Sequence, residues 1–166
     1  MMTIGYEGLS QHLFFDALRA SGVQTIVDVR ELPLSRKRGF SKSALAGTAA
    51  SYEMTYVHLG ELGCPRPIRY DYKADRDWDR YVRRFTEYLD TQNEAIAHLA
   101  TRIKRERCCL VCYEADYNAC HRTLVAERVV RLLDGNICIT HLRPQVLKPV
   151  ALADSSADEA DKISPQ

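Results

Sequence analysis

The chain has 166 residues, 27% of them charged and 46% apolar, with a formal charge of +1; this is the profile of one globular domain, not of a disordered or fibrous chain. The charge is polarised: residues 151–166 hold four acids against Lys162, whereas residues 1–150 carry 22 basic and 18 acidic groups, a net of +4. So mildly basic a body excludes wholesale coating of nucleic acid and points to a local anionic partner.

Met2 to Tyr6 reads as a first strand. Ser10 is an N-cap for a helix with Leu13, Phe14, Ala17 and Leu18 on one face, stopped near Gly22. Val23 to Val29 is short and β-branched, a second and buried strand. Arg30 to Lys42 is a charged loop punctuated by Pro33 and Gly39, and a short helix follows to Ala50. Met54 to Leu59 is a third strand, and Gly60 to Tyr72, with Gly63, Pro65 and Pro67, reads as a long loop of the kind that often carries function. From Asp75 or Asp77 a single long helix is expected, its stripe running from Trp78, Tyr81 and Phe85 through Leu89 to Ile96 and Ile103. Cys108 to Tyr113 is a fourth strand, Thr123 to Leu133 a helix closed by Asp134-Gly135, and Asn136 to His141 a fifth strand.

Strands alternating with helices predict an α/β fold: a single-domain three-layer sandwich with a mainly parallel sheet over residues 1–149. Residues 150–166, rich in Ala, Ser and Asp, are expected to be a disordered acidic tail. A strand beginning at residue 2 leaves no room for a secretory leader, and no apolar run approaches the roughly 20 residues of a membrane span. A cytoplasmic protein with six reduced cysteines is therefore expected, with no membrane partner.

In such a sheet ligands bind beyond the carboxyl ends of the strands. Those ends hold Tyr6 and Glu7, then Asp28 and Arg30, then His58, then Cys112 and Glu114. Cys120, His121 and Arg122 stand at the start of the following helix, where anions are favoured. Glu7, Asp28, Cys112, Glu114, Cys120 and His121 are the acid/base or thiol candidates. Tyr6, Arg30, Arg36, Lys37, Arg38, His58 and Arg122 are the candidates for holding substrate, with Arg122 as the direct anion ligand. The run from Arg36 to Lys42 sets four positive charges beside Phe40 and Gly39, suited to a phosphate. A second basic stretch, Arg66 to Arg84, has seven cations against four acids, with Tyr70, Tyr72 and Trp78 interleaved. Trp78 and Tyr81 are expected to face the core.

Cys109 and Cys112 cannot form a zinc knuckle, because residues three apart in a strand point to opposite faces. Cys112, Glu114, Cys120 and His121 could geometrically meet at a metal, but no metal or cofactor is assigned. Cys120 beside His121 and a helix start is expected to have a lowered thiol pKa. A phosphatase-type Cys-x5-Arg loop is absent, Cys112 and Arg122 being ten residues apart. Asp28-Val29-Arg30-Glu31 with a later strand-end cysteine resembles the rhodanese-like sulfurtransferases, but the same gap and the lack of a short glycine-rich loop count against that.

A set of motifs runs in order from Thr3-Ile4-Gly5-Tyr6-Glu7-Gly8 through Asp28-Val29-Arg30, Pro33-Leu34-Ser35, Gly39-Phe40 and Tyr56-x-His58-Leu59-x-x-Leu62-Gly63 to Cys112-Tyr113-Glu114 and Cys120-His121-Arg122. Together they resemble the uncharacterised domain-of-unknown-function 488 family. The resemblance implies a compact α/β domain with these residues near one pocket, and no established reaction. The expected function is an enzyme acting on a phosphate-bearing substrate, a nucleotide or nucleic acid. Thiol-dependent sulfur transfer and non-catalytic nucleic-acid binding are the alternatives.

Overall fold

Four short runs rich in β-branched or otherwise apolar residues, Met2–Gly5 (β1), Thr25–Asp28 (β2), Thr55–His58 (β3) and Cys108–Cys112 (β4), form strands, joined by a fifth at Thr140–Leu142 (β5). The computed structural model describes residues 1–144, so the expected boundary at residue 149 and the acidic tail lie outside the described residues. The five strands make one sheet in the order β3-β2-β4-β1-β5, every pairing parallel. β2 and β4 are buried along their whole length, as expected of strands covered on both faces.

Alternation along the strands sorts the core into two layers. Ile4, Ile26, Cys109 and Val111 face Phe14, Phe15 and Leu18 of helix α1 (Gln11–Ala20) and Leu45 and Ala49 of α2 (Lys42–Ser51). Val27, Cys108 and Leu110 face the opposite layer, made by α3 (Arg66–Asp75), α4 (Trp78–Leu89), α5 (Asn93–Ile103) and α6 (His121–Leu132). The fold is an α/β three-layer sandwich. Cys109 and Cys112 fall on opposite faces, as strand geometry requires.

Three expected elements differ. The loop expected from Gly60 to Tyr72 contains a 3-10 turn, Gly60–Leu62, and most of α3. Pro65 is the N-cap of α3 and Pro67 lies in its first turn, where a missing N–H breaks no helical bond. The single long helix is two helices, parted at Asp90–Gln92, where Asn93 Nδ2 donates to the Asp90 carbonyl at 2.9 Å. Leu89 and Ile96 are two turns apart, so the apolar stripe keeps its phase across the break and hides it. The fifth strand starts later than expected: Ile137 and Ile139 pack against the core, and pairing with β1 begins at Thr140 opposite Met2.

Candidate functional site

The helices that follow β1 and β4 leave toward opposite faces, α1 to one layer and α6 to the other. Neighbouring parallel strands that diverge in this way open a crevice at their carboxyl ends. Gly5 of β1 lies level with Cys112 of β4. A Cβ on Gly5 would sit 1.7 Å from the Glu114 carbonyl oxygen, so only glycine lets the loop after β4 cross the end of β1. Glu7 Oε2 accepts the Ala115 N–H at 3.0 Å and holds the same loop.

Arg122 pins this crossing from below. It is 1% exposed; its guanidinium donates to the carbonyls of Glu114 and Ala115, the latter at 3.2 Å, and its Nε approaches Thr3 Oγ1 at 3.4 Å. Its hydrogen bonds thus go to loop carbonyls and to Thr3, and it is absent from the cavity wall. The expectation of Arg122 as direct anion ligand is corrected: it shapes the loop that carries Glu114.

Asp28 and Arg30 form a second buried support. Asp28 is 0% exposed and accepts from Arg30 Nε at 2.8 Å, Arg30 Nη2 at 2.5 Å and Tyr56 OH at 2.7 Å. Arg30 Nη1 donates to Tyr6 OH at 2.8 Å and to the Phe40 carbonyl at 2.9 Å. Burial alone would pull the guanidinium pKa down, but the hydrogen bond and charge of Asp28 outweigh it and raise it. The Tyr56 hydroxyl is pushed up by burial and by Asp28. Asp28 therefore acts as an anchor with no opening to the cavity, rather than an acid/base group, while Arg30 reaches the wall. His58 Nε2 meets the Arg30 carbonyl at 2.8 Å and stands behind the wall. Gly63 also permits this packing, since a Cβ there would lie 2.0 Å from the Glu31 nitrogen.

The crevice is a cavity of about 770 Å³, within the size range of small-molecule sites. Tyr6, Glu7, Arg30, Arg36, Lys37, Cys112, Glu114, Cys120 and His121 all lie along it; Arg38 does not. On its floor, Cys112 Sγ donates to Glu114 Oε2 at 2.8 Å and Cys120 Sγ to the same oxygen at 3.2 Å. His121 Nε2 lies 2.9 Å from the Val29 carbonyl. That acceptor takes a hydrogen bond from Nε2 and turns Nδ1 toward Cys112 Sγ at 3.6 Å. Burial works to lower the imidazole pKa, but Cys120, the Val29 carbonyl and Glu114 outweigh it and raise it.

Burial pushes the Cys112 thiol up and the Cys120 thiol well above an ordinary thiol. The expected lowering at Cys120 is corrected, because at 2% exposure the loss of solvation outweighs the helix start. Burial also works to raise the Glu114 carboxyl, but the hydrogen bond from Cys112 and the neighbouring His121 win and hold it below its usual range. Glu114 is thus an ionised carboxylate at neutral pH.

Another part of the wall comes from the second basic stretch, Arg66 to Arg84, in which the sequence reading assigns no single residue to the site. Arg69, Lys73 and Arg76 line it, with Tyr72 beside them. All but Arg76, the left-handed C-cap at φ 59°, belong to α3. Positions 69, 73 and 76 are spaced i, i+4, i+7, the signature of one helix face, but Pro65 and Pro67 made the segment read as a loop. Arg69 pairs with Glu31 at 2.6 Å. Among the described residues, Arg36, Lys37, Lys73 and Arg76 have no ion-pair partner. Trp78 and Tyr81 stack on each other at 4.8 Å and pack into the core layer.

Residues 11–129 match the family described as "Domain of unknown function DUF488". The chain belongs to that family. The match takes in β2, β4 and the cluster on the cavity floor, while Tyr6 and Glu7 lie before it. No curated protein and no solved structure matches the chain. No helix among the described residues is long and apolar enough to cross a membrane.

Proposed function

We propose that this DUF488 protein is an enzyme acting on a phosphate-bearing substrate, a nucleotide or a nucleic-acid strand. The observation that carries this reading is one cavity with two unlike ends. Its mouth bears four cations free of carboxylate partners among the described residues, Arg36, Lys37, Lys73 and Arg76, on two different segments. Its floor bears an ionised carboxylate, an imidazole and two thiols. Phosphate oxygens are matched by the mouth. Leu34, 76% exposed, and Tyr113, 46% exposed, offer apolar surface beside it for a base or sugar. The remaining end of the substrate would reach Glu114 and His121, the acid/base candidates.

The raised pKa of both thiols favours this reading over sulfur transfer, which needs a thiolate. The test is binding of labelled nucleotides and short oligonucleotides to the intact protein, followed by product analysis. Arg36→Ala with Lys37→Ala is expected to weaken binding by about 10-fold or more and to flatten its salt dependence. Glu114→Gln is expected to keep binding and lose turnover. No binding at low salt would refute the proposal. Binding without turnover across the panel would leave a non-catalytic binding module in its place.

A further inference from the structure

Each side chain on the cavity floor can reach one common point. Cys112 Sγ, one Glu114 oxygen, Cys120 Sγ and His121 Nδ1 all lie within 4.8 Å of one another. The individual separations are 2.8 and 3.2 Å from the carboxylate oxygen to the two sulfurs, and 3.6 and 4.0 Å from the sulfurs to the imidazole nitrogen. A tetrahedral zinc ion, with bonds of about 2.3 Å to sulfur and about 2.0–2.2 Å to nitrogen and oxygen, spaces its ligand atoms about 3.4–3.8 Å apart. The separations in the protein bracket that range. The two that fall short both involve the carboxylate oxygen, which would move outward to make room.

Two further features point to a cation rather than to a self-contained hydrogen-bond cluster. His121 is already held as a metal-binding histidine is held: Nε2 is anchored on the Val29 carbonyl and Nδ1 is aimed at the sulfurs. Among the described residues no guanidinium meets the charge of Glu114, because Arg30 is spent on Asp28 and Arg122 on loop carbonyls and Thr3; only the His121 ring faces it. Among the described residues its side-chain hydrogen bonds come from two weak S–H donors onto a single oxygen.

We propose that Cys112, Glu114, Cys120 and His121 form a binding site for one thiophilic divalent cation of the zinc class. Two sulfurs and an imidazole disfavour magnesium and calcium, which take oxygen ligands. Binding releases the two thiol protons to solvent, so a dication replaces two protons and the two sulfurs become thiolates. The ion ties the end of β4 to the start of α6, on the floor of the cavity described above. The site does not depend on the substrate proposed for that cavity; with the ion bound, both ring nitrogens of His121 are engaged and the acid/base role falls to the second Glu114 oxygen. A protein that binds the metal but no nucleotide keeps this inference and loses that one.

The test uses the intact protein, stripped with a chelator and titrated with Co²⁺ alone, then Zn²⁺. One equivalent of Co²⁺ should bind, with a thiolate-to-cobalt charge-transfer band and the strong visible bands of tetrahedral cobalt, and Zn²⁺ should displace it. Cys112→Ser and Cys120→Ser should each weaken binding by about 100-fold or more. Cys109→Ser, on the other face of β4, and Cys138→Ser, on an exposed thiol, should not. Should the serine variants at the floor fail to fold, alkylation of the unmutated protein decides the matter. Zn²⁺ should protect Cys112 and Cys120, and a chelator should reverse the protection. Weak or non-stoichiometric cobalt binding, a charge-transfer band that survives both serine substitutions, or thiols indifferent to Zn²⁺ would each overturn the proposal.

Discussion

Arg122→Met separates a loop-shaping arginine from an anion ligand. Methionine keeps much of the aliphatic stem and little cavity is opened, so the loss is that of the polar contacts. Two hydrogen bonds run from the guanidinium to the Glu114 and Ala115 carbonyls, and hydrogen bonds to a charged donor contribute about 1.5–3 kcal/mol each. Ala115 is exposed, so its carbonyl regains water and the sum falls toward the lower end. The expected destabilisation is about 3–4 kcal/mol, read as the urea midpoint at unchanged slope. Affinity for a nucleotide, measured well below the unfolding transition, should fall far less than in the Arg36→Ala and Lys37→Ala double variant. A loss under about 1 kcal/mol joined to a collapse of binding would refute this account and return Arg122 to the cavity.

Asp28→Ala should be strongly destabilising, by about 3–5 kcal/mol, because it leaves the Arg30 guanidinium buried without a counter-charge; an unchanged denaturation midpoint would show that the pair is not what holds the wall. A pH effect is expected at His141, which stacks on Tyr117 at 3.8 Å and meets Thr3 Oγ1 at 2.8 Å. Burial, then the charges of Arg122 and Arg143, hold its pKa below the ordinary 6.5. The unfolded chain thus takes up this proton first as pH falls. The contribution to stability is complete above about 6.5 and is lost as pH drops toward the lower folded value. Unfolding free energy measured from pH 7.5 to 5 should show this slope flattened in His141→Gln, and an identical slope in the variant would remove His141 as its source.

Much of the scaffold was legible because its signals are local. The β-branched run at Val23 to Val29, the capped helix after Ser10 and the unbroken apolar run through Cys108 to Cys112 depend only on neighbours in sequence. Where the reading failed, a local signal was ambiguous. Pro65 and Pro67 are as compatible with the start of a helix as with a loop. The break at Asp90–Gln92 carries no glycine or proline and preserves the phase of the apolar stripe. For the first of these reasons Lys73 and Arg76 are legible only as members of a basic stretch, although their spacing from Arg69 on one helical face is present in the sequence.

By itself the sequence determined which residue types gather at the carboxyl ends of the strands, since a parallel sheet sends all those ends to one edge. It also excluded a knuckle between Cys109 and Cys112, since strand alternation is obligatory. Only the tertiary structure decided what each polar residue does there. Whether an arginine faces a cavity or a carbonyl, and whether a thiol is raised or lowered, depends on what packs against it from distant segments. Arg122 is spent on the loop that Gly5 allows across β1, and Asp28 is sealed beneath Tyr56. Cys112, Glu114, Cys120 and His121 meet because the start of α6 folds back over the end of β4. Charge and hydrogen-bonding capacity are written in composition; solvation and partners exist only once the chain has folded.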